Sequence, residues 1–182
     1  MTTALIVIDV QEEYFSGRLP IQYPPREESL ERIGEAMDGA SEAGVPIVVV
    51  RHVGEPGEGS FQQDSPTFQL RKEVDGRPRD LLIDKRLPGS FTGTGLQEWL
   101  EEHDVDHVTI VGYMTNVCCD TTARQAVHCG FKSEFLSDAT GTLALSNAGG
   151  EVTAEELQRS ILAAQAQLLS EVLPSSEWIG RL

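Results

Sequence analysis

Short runs of consecutive apolar residues alternate along the chain with longer stretches in which apolar positions recur every three or four residues. Residues 4–10 (ALIVIDV) and 46–52 (PIVVVRH) are nearly continuous and rich in Ile and Val, the pattern of strands buried on both faces. Residues 81–85, 107–113 (HVTIVGY) and 131–136 predict three more strands, and 171–173 a short last one. Pro24 and Pro25 open a helix with Leu30, Ile33, Met37 and Ala40 at helical spacing, and Gly44 closes it. Thr94 is placed to cap a short helix carrying Leu96, Trp99 and Leu100, and Asn116 one that runs to Gly130. Thr153 and Glu156 form a capping-box pattern ahead of the stripe Leu157, Ile161, Ala164 and Leu168. Residues 53–79 break the alternation and predict a long loop of the kind that covers a site. Strands alternating with helices imply right-handed crossovers. The expected fold is a three-layer α/β sandwich, with a parallel sheet of about six strands and helices on both faces.

Composition narrows the function classes. The chain has 182 residues and 40% hydrophobic content, enough for one domain over residues 1–182 with a sizeable core. Fourteen basic against twenty-nine acidic residues give a net charge of −15. Such a surface repels phosphate backbones and anionic headgroups, so no nucleic-acid or membrane partner is expected. The apolar run at the N-terminus is too short to span a bilayer and has no basic segment before it. Cys118, Cys119 and Cys129 form neither a closed disulfide set nor a zinc spacing. A cytoplasmic protein is the expectation.

In open parallel sheets, ligands sit beyond the carboxyl ends of the strands. Asp9 ends the first strand, Lys85 the third, and Cys118 follows the fourth in the first helical turn. Singly, each has an ordinary reading: a turn-capping acid, a solvated lysine, a small core thiol. Jointly, on one rim, they form an acid, an ammonium and a nucleophile. The helix N-terminus and Lys85 would both favour thiolate, so a lowered Cys118 pKa is expected. Cys119 is rotated by about 100° and should face the core, as should Cys129. Gly54, Gly57 and Gly59 are not followed by Gly-Lys-Ser/Thr and do not make a P-loop.

The segments ALIVIDVQEEYF, DKRLPGSF and VGYMTNVCCDTTARQAVHCGF resemble, in order, the three signature blocks of the isochorismatase-like cysteine hydrolases. That superfamily includes nicotinamidases and N-carbamoylsarcosine amidohydrolase, and the similarity covers residues 3–139. The resemblance implies Cys118 as nucleophile, Asp9 as proton shuttle and Lys85 as the stabilising cation. It also implies a cis peptide between Tyr113 and Met114, with the Met114 and Cys118 N–H groups forming an oxyanion hole. Gln11, Tyr14, His52, Ser90, Phe91 and Tyr113 are the candidate substrate contacts, although the aromatic ones read equally well as core. Nicotinamidases hold a divalent metal through Asp-x-His after the second strand and a further histidine. Here His52 stands in RHVGEPGEGS with no second histidine, so no metal and no other cofactor is expected. True isochorismatases lack a cysteine at the position of Cys118, which favours hydrolysis of a C–N bond in a small amide, ureide or carbamoyl compound. The alternatives are vinyl-ether hydrolysis and a non-catalytic binding or scaffold role. The family's habit of assembling implies a homo-oligomer.

Overall fold

A computed structural model describes residues 2–57 and 59–182. Six parallel strands form one sheet: β1 (Thr3–Ile8), β2 (Ile47–His52), β3 (Leu81–Lys85), β4 (His107–Tyr113), β5 (Lys132–Gly141) and β8 (Ser170–Leu173). Their order across the sheet is β3-β2-β1-β4-β5-β8. The chain winds one way from β1 to β3, then returns to the far side of β1 to lay down β4. The switch point between β1 and β4 is therefore the expected ligand crevice.

The apolar runs are continuous because both faces of the sheet are covered. Leu5 and Val7 of β1, with Ile47 and Val49 of β2, pack under α1 (Arg26–Ala43). Ala4, Ile6, Ile8, Val48 and Val50 point the other way, toward α3 (Leu96–Glu102) and α4 (Asp120–His128). Side chains alternating across a strand thus feed two separate cores, leaving no room for polar positions. Gly44 ends α1 in the left-handed conformation (φ 72°), as the sequence predicts. Gly112 has φ 113°, and a Cβ there would lie 2.0 Å from the Ile8 carbonyl oxygen. Only glycine lets β4 pass this close to the end of β1, one residue from Asp9.

Four features differ from the pattern-based expectation. β5 continues to Gly141, five residues past the predicted end, because its second half pairs with β4 after a register shift between Ile110 and Gly112. A two-stranded antiparallel ribbon, β6 (Leu145–Asn147) with β7 (Gly150–Val152), follows it in a stretch expected to be loop. A single turn α2 (Lys72–Asp75) and a terminal helix α6 (Ser175–Ile179) were too short to show a period. In α5 (Ala154–Leu168) the capping box forms as predicted, but the buried residues are Ala154, Gln158 and Gln165. Its apolar stripe instead lies on a flank, with Ala164 and Leu168 exposed. Among the described residues no helix is long and apolar enough to cross a membrane.

Candidate active site

β1 delivers Asp9 to the switch point. The chain leaves the strand through a left-handed residue, Asp9 itself at φ 52°, a conformation that costs a non-glycine residue energy and is held here by surrounding structure. β3 delivers Lys85 and β4 leads through Met114 into the turn Thr115–Cys119, wound as one turn of π-helix before α4. Such a wide turn is a recurrent device at functional sites. Asn116 does not cap α4; its Oδ1 accepts a 2.6 Å hydrogen bond from Thr142 Oγ1, tying the turn to the end of β5. The Tyr113–Met114 peptide is cis, as the resemblance implies. Among the described residues, the Met114 N–H has no acceptor.

Lys85 is the hub. Its ammonium lies 2.7 Å from Asp9 Oδ2 and 3.2 Å each from Cys118 Sγ, His52 Nδ1 and the Leu87 carbonyl oxygen. An ammonium can only donate, so a hydrogen bond between the two runs from Lys85 Nζ to His52 Nδ1. Both Lys85 and Asp9 are fully buried, and Cys118 is 5% exposed. Besides the ion pair with Lys85, the Asp9 carboxylate accepts a hydrogen bond from the Cys118 thiol, which keeps the proton on sulfur within reach of the acid that would take it.

The electrostatics correct one expectation. Burial would lower the Lys85 pKa, but the Asp9 carboxylate and the Cys118 sulfur outweigh it, and the ammonium is held above its ordinary value. Burial pushes the Cys118 thiol up, Asp9 adds to the rise, and Lys85 only partly offsets them. The resting site is thus an Asp9⁻–Lys85⁺ pair beside a neutral thiol. The predicted thiolate fails because one cation cannot serve two buried anions. Alkylation of the free protein with iodoacetamide, followed by mass spectrometry, should therefore label half-buried Cys129 ahead of Cys118 at neutral pH. Labelling of Cys118 should still be climbing with pH above the ordinary thiol range, since its thiolate appears late. A Cys118 rate that levels off in mild acid would contradict this charge assignment. Cys119 is fully buried in the core, as expected.

The candidate substrate contacts divide in two. Tyr14 and Tyr113 are buried, with ring centroids 5.6 Å apart, and the Tyr113 hydroxyl is 2.9 Å from Ser29 Oγ. His52 lies beside Lys85, as above. Gln11, by contrast, is a clamp: its Nε2 donates to the His52 and Phe68 carbonyls, and its Oε1 accepts from the His52 N–H. Ser90 is buried with its hydroxyl 2.9 Å from Thr122 Oγ1, fastening the segment after β3 to α4. Phe91 packs against Phe131 at 5.9 Å, toward the opposite end of the sheet. Ser90 and Phe91 thus spend their side chains on Thr122 and Phe131, whereas Gln11 stays at the rim and holds the His52 backbone beside Lys85.

Sequence reading missed Phe61. It sits in the loop after β2 and places its ring 5.3 Å from Tyr14 and 5.0 Å from His52, closing the apolar wall. The signal was a lone aromatic beside glycines Gly57 and Gly59, both with left-handed backbone (φ 90° and 87°). Glu13 anchors this loop. Burial works against its charge, yet hydrogen bonds from Thr67, the Arg18 and Phe61 backbone and Ser60 hold its carboxyl below the usual range. Asp9, His52 and Cys118 also place a carboxylate oxygen, a ring nitrogen and a sulfur within 4.8 Å of one another. Those donors suit a divalent ion, but the Lys85 ammonium touches all three, and the Asp-x-His with a second histidine is lacking.

A parallel α/β sheet with carboxylate, ammonium and thiol at its switch point defines a hydrolase of the cysteine-hydrolase class. The isochorismatase domain matches residues 3–163, and the chain belongs to the isochorismatase family. The solved structure of a proposed isochorismatase from Burkholderia xenovorans has a TM-score of 0.96 at 43% identity, covering 98% of this chain and 86% of that one. A cysteine hydrolase from Pseudomonas syringae pv. phaseolicola gives a TM-score of 0.87 at 28% identity, over 98% and 91% of the two chains. Nicotinamidase 3 of Arabidopsis thaliana is 34% identical over 152 residues, 76% of this chain and 73% of the relative.

Proposed function

We propose that the protein hydrolyses a C–N bond in a small amide, ureide or carbamoyl compound, with Cys118 as nucleophile and a thioester intermediate. The observation that carries this reading is the contact of Lys85 with both Asp9 and Cys118, which sets a base and a nucleophile around one buried cation. Asp9 takes the Cys118 proton as sulfur attacks the carbonyl carbon, so thiolate charge passes directly into the substrate oxygen. The Met114 and Cys118 N–H groups receive that oxyanion. Asp9 then gives the proton to the departing nitrogen, the C–N bond breaks, and ammonia or an amine leaves. Water, deprotonated by the same carboxylate, attacks the thioester and releases the acid, and the proton returns to sulfur. Lys85 keeps a positive charge beside whichever of Asp9 and Cys118 is anionic.

A nucleophile this enclosed, under the wall of Tyr14, Phe61 and His52, favours a compact substrate over a polymer. Three free cysteines, one of them the nucleophile, favour a reducing compartment such as the cytoplasm. The deciding experiment is ammonia release across a panel of small amides, ureides and carbamoyl compounds, run with and without a strong chelator. Turnover of at least one panel member, undiminished by the chelator, is expected. Cleavage of a vinyl ether with no ammonia from any member would transfer the reading to ether hydrolysis. A loss restored by zinc or manganese would make the Asp9, His52 and Cys118 donors a metal site.

A further inference from the structure

Glu13 is a buried acid that the catalytic steps above do not use. It is 1% exposed, and among the described residues no cation pairs with it. Its carboxylate is held by neutral donors instead: the Arg18 N–H at 2.7 Å, the Phe61 N–H, and the side chains of Ser60 and Thr67. A buried carboxylate is tolerated only when it is well hydrogen-bonded, and here four donors converge on it. Gly17 makes the first of them possible. A Cβ there would lie 2.6 Å from Glu13 Cα and Cδ, so only glycine lets the chain fold back over the acid. The other three donors belong to the loop after β2, and one of them is Phe61, whose ring closes the wall beside Tyr14 and His52. Phe61 is left-handed (φ 53°), a conformation that a bulky residue keeps only under restraint. Its carbonyl accepts from the Gly54 N–H and its own N–H donates to Glu13, which pins the strained residue on both sides. Tyr14 follows Glu13 directly in the chain, and His52 is fixed by Gln11, two residues before it.

We infer that Glu13 is a positioning residue for substrate selectivity: its carboxylate latches the Phe61 loop over the Cys118 pocket, which then admits compact acyl groups and turns larger ones away. The ionised acid is needed because a carboxylate accepts at both oxygens, whereas an amide of the same shape presents an NH₂ group that can only donate. Glutamine at this position would set N–H against N–H at one or more of the four contacts. The loop would then open locally while the sheet beneath it stays folded. This role rests on Cys118 being the nucleophile, but access to the thiol can be read without any turnover.

The test compares iodoacetamide with the larger iodoacetanilide on the full-length protein at mildly alkaline pH, following Cys118 by mass spectrometry with half-buried Cys129 as internal reference. The ratio of the two rates cancels the thiolate fraction, which both reagents share. In the wild type, Cys118 should prefer the small reagent far more strongly than Cys129 does. Glu13→Gln should shrink that preference about tenfold at Cys118 and leave Cys129 unchanged. Phe61→Ala should do the same, and adding Glu13→Gln to it should change little further, because the wall that the acid holds is already gone. Ser60→Ala with Thr67→Val removes two donors but keeps the acid, and serves where circular dichroism shows Glu13→Gln to be poorly folded. A folded latch variant with the wild-type ratio would overturn the role, and so would effects of Glu13→Gln and Phe61→Ala that add in full. Where a small amide is turned over, Glu13→Gln should raise its KM more than it lowers kcat, and a loss confined to kcat would count against the latch. A shifted ratio without turnover of any amide would leave the latch standing and defeat only the amidase reading.

Discussion

Cys118→Ala should lower turnover by at least about 10³-fold while the protein stays folded, because the substitution removes the atom that attacks the carbonyl. The stability cost should be small, about 1 kcal/mol for one buried sulfur. The Asp9–Lys85 ion pair stays intact in this variant, so no buried charge loses its partner. Cys118→Ser is the sharper control. It keeps a proton for Asp9 to take but offers a far weaker nucleophile, and it too should be almost inactive. Ammonia release and urea unfolding on the same preparations separate the two effects. Full activity in Cys118→Ala would end the thioester mechanism and return the fold to ether hydrolysis or a binding role.

Lys85→Met should be damaging in a different way. Its ammonium has no exposed surface and meets Asp9, Cys118, His52 and the Leu87 carbonyl together. Removing it leaves the Asp9 carboxylate buried without a counter-charge, a change that costs about 3–5 kcal/mol. Against a typical folding free energy of about 5–15 kcal/mol, that is a large share. Pairing the change with Asp9→Asn should recover part of the loss, since the second substitution removes the stranded charge. Activity should stay lost in single and double variants alike. A Lys85→Met protein with wild-type unfolding would mean that the ammonium and carboxylate do not depend on each other.

Parallel strands covered on two faces must be apolar at consecutive positions, so the order of strands and helices is visible without coordinates. The rule that ligands gather at the carboxyl ends of such strands is equally general, and it singled out Asp9, Lys85 and Cys118 before any distance was known. Their identity is local information: each sits within a residue or a turn of a recognisable strand end.

Direction and charge are not local. Gln11, Ser90 and Phe91 lie within six residues of Asp9 or Lys85 along the chain, yet their partners are Phe68, Thr122 and Phe131, brought up from other segments. The same holds for α5, where the inward face was settled by Asp120, Thr140 and Ser170, which hydrogen-bond two glutamines. Helical spacing alone assigned that face to leucines. Whether Cys118 carries its proton depends on burial and on competition with Asp9 for one ammonium, quantities that exist only once three strands have met. The residue types and their order along the rim thus belong to the chain as written. Which way each side chain points, and which charge it bears, came from the folding of distant segments around it, because hydrogen-bond partners and solvent exclusion are properties of the assembled sheet.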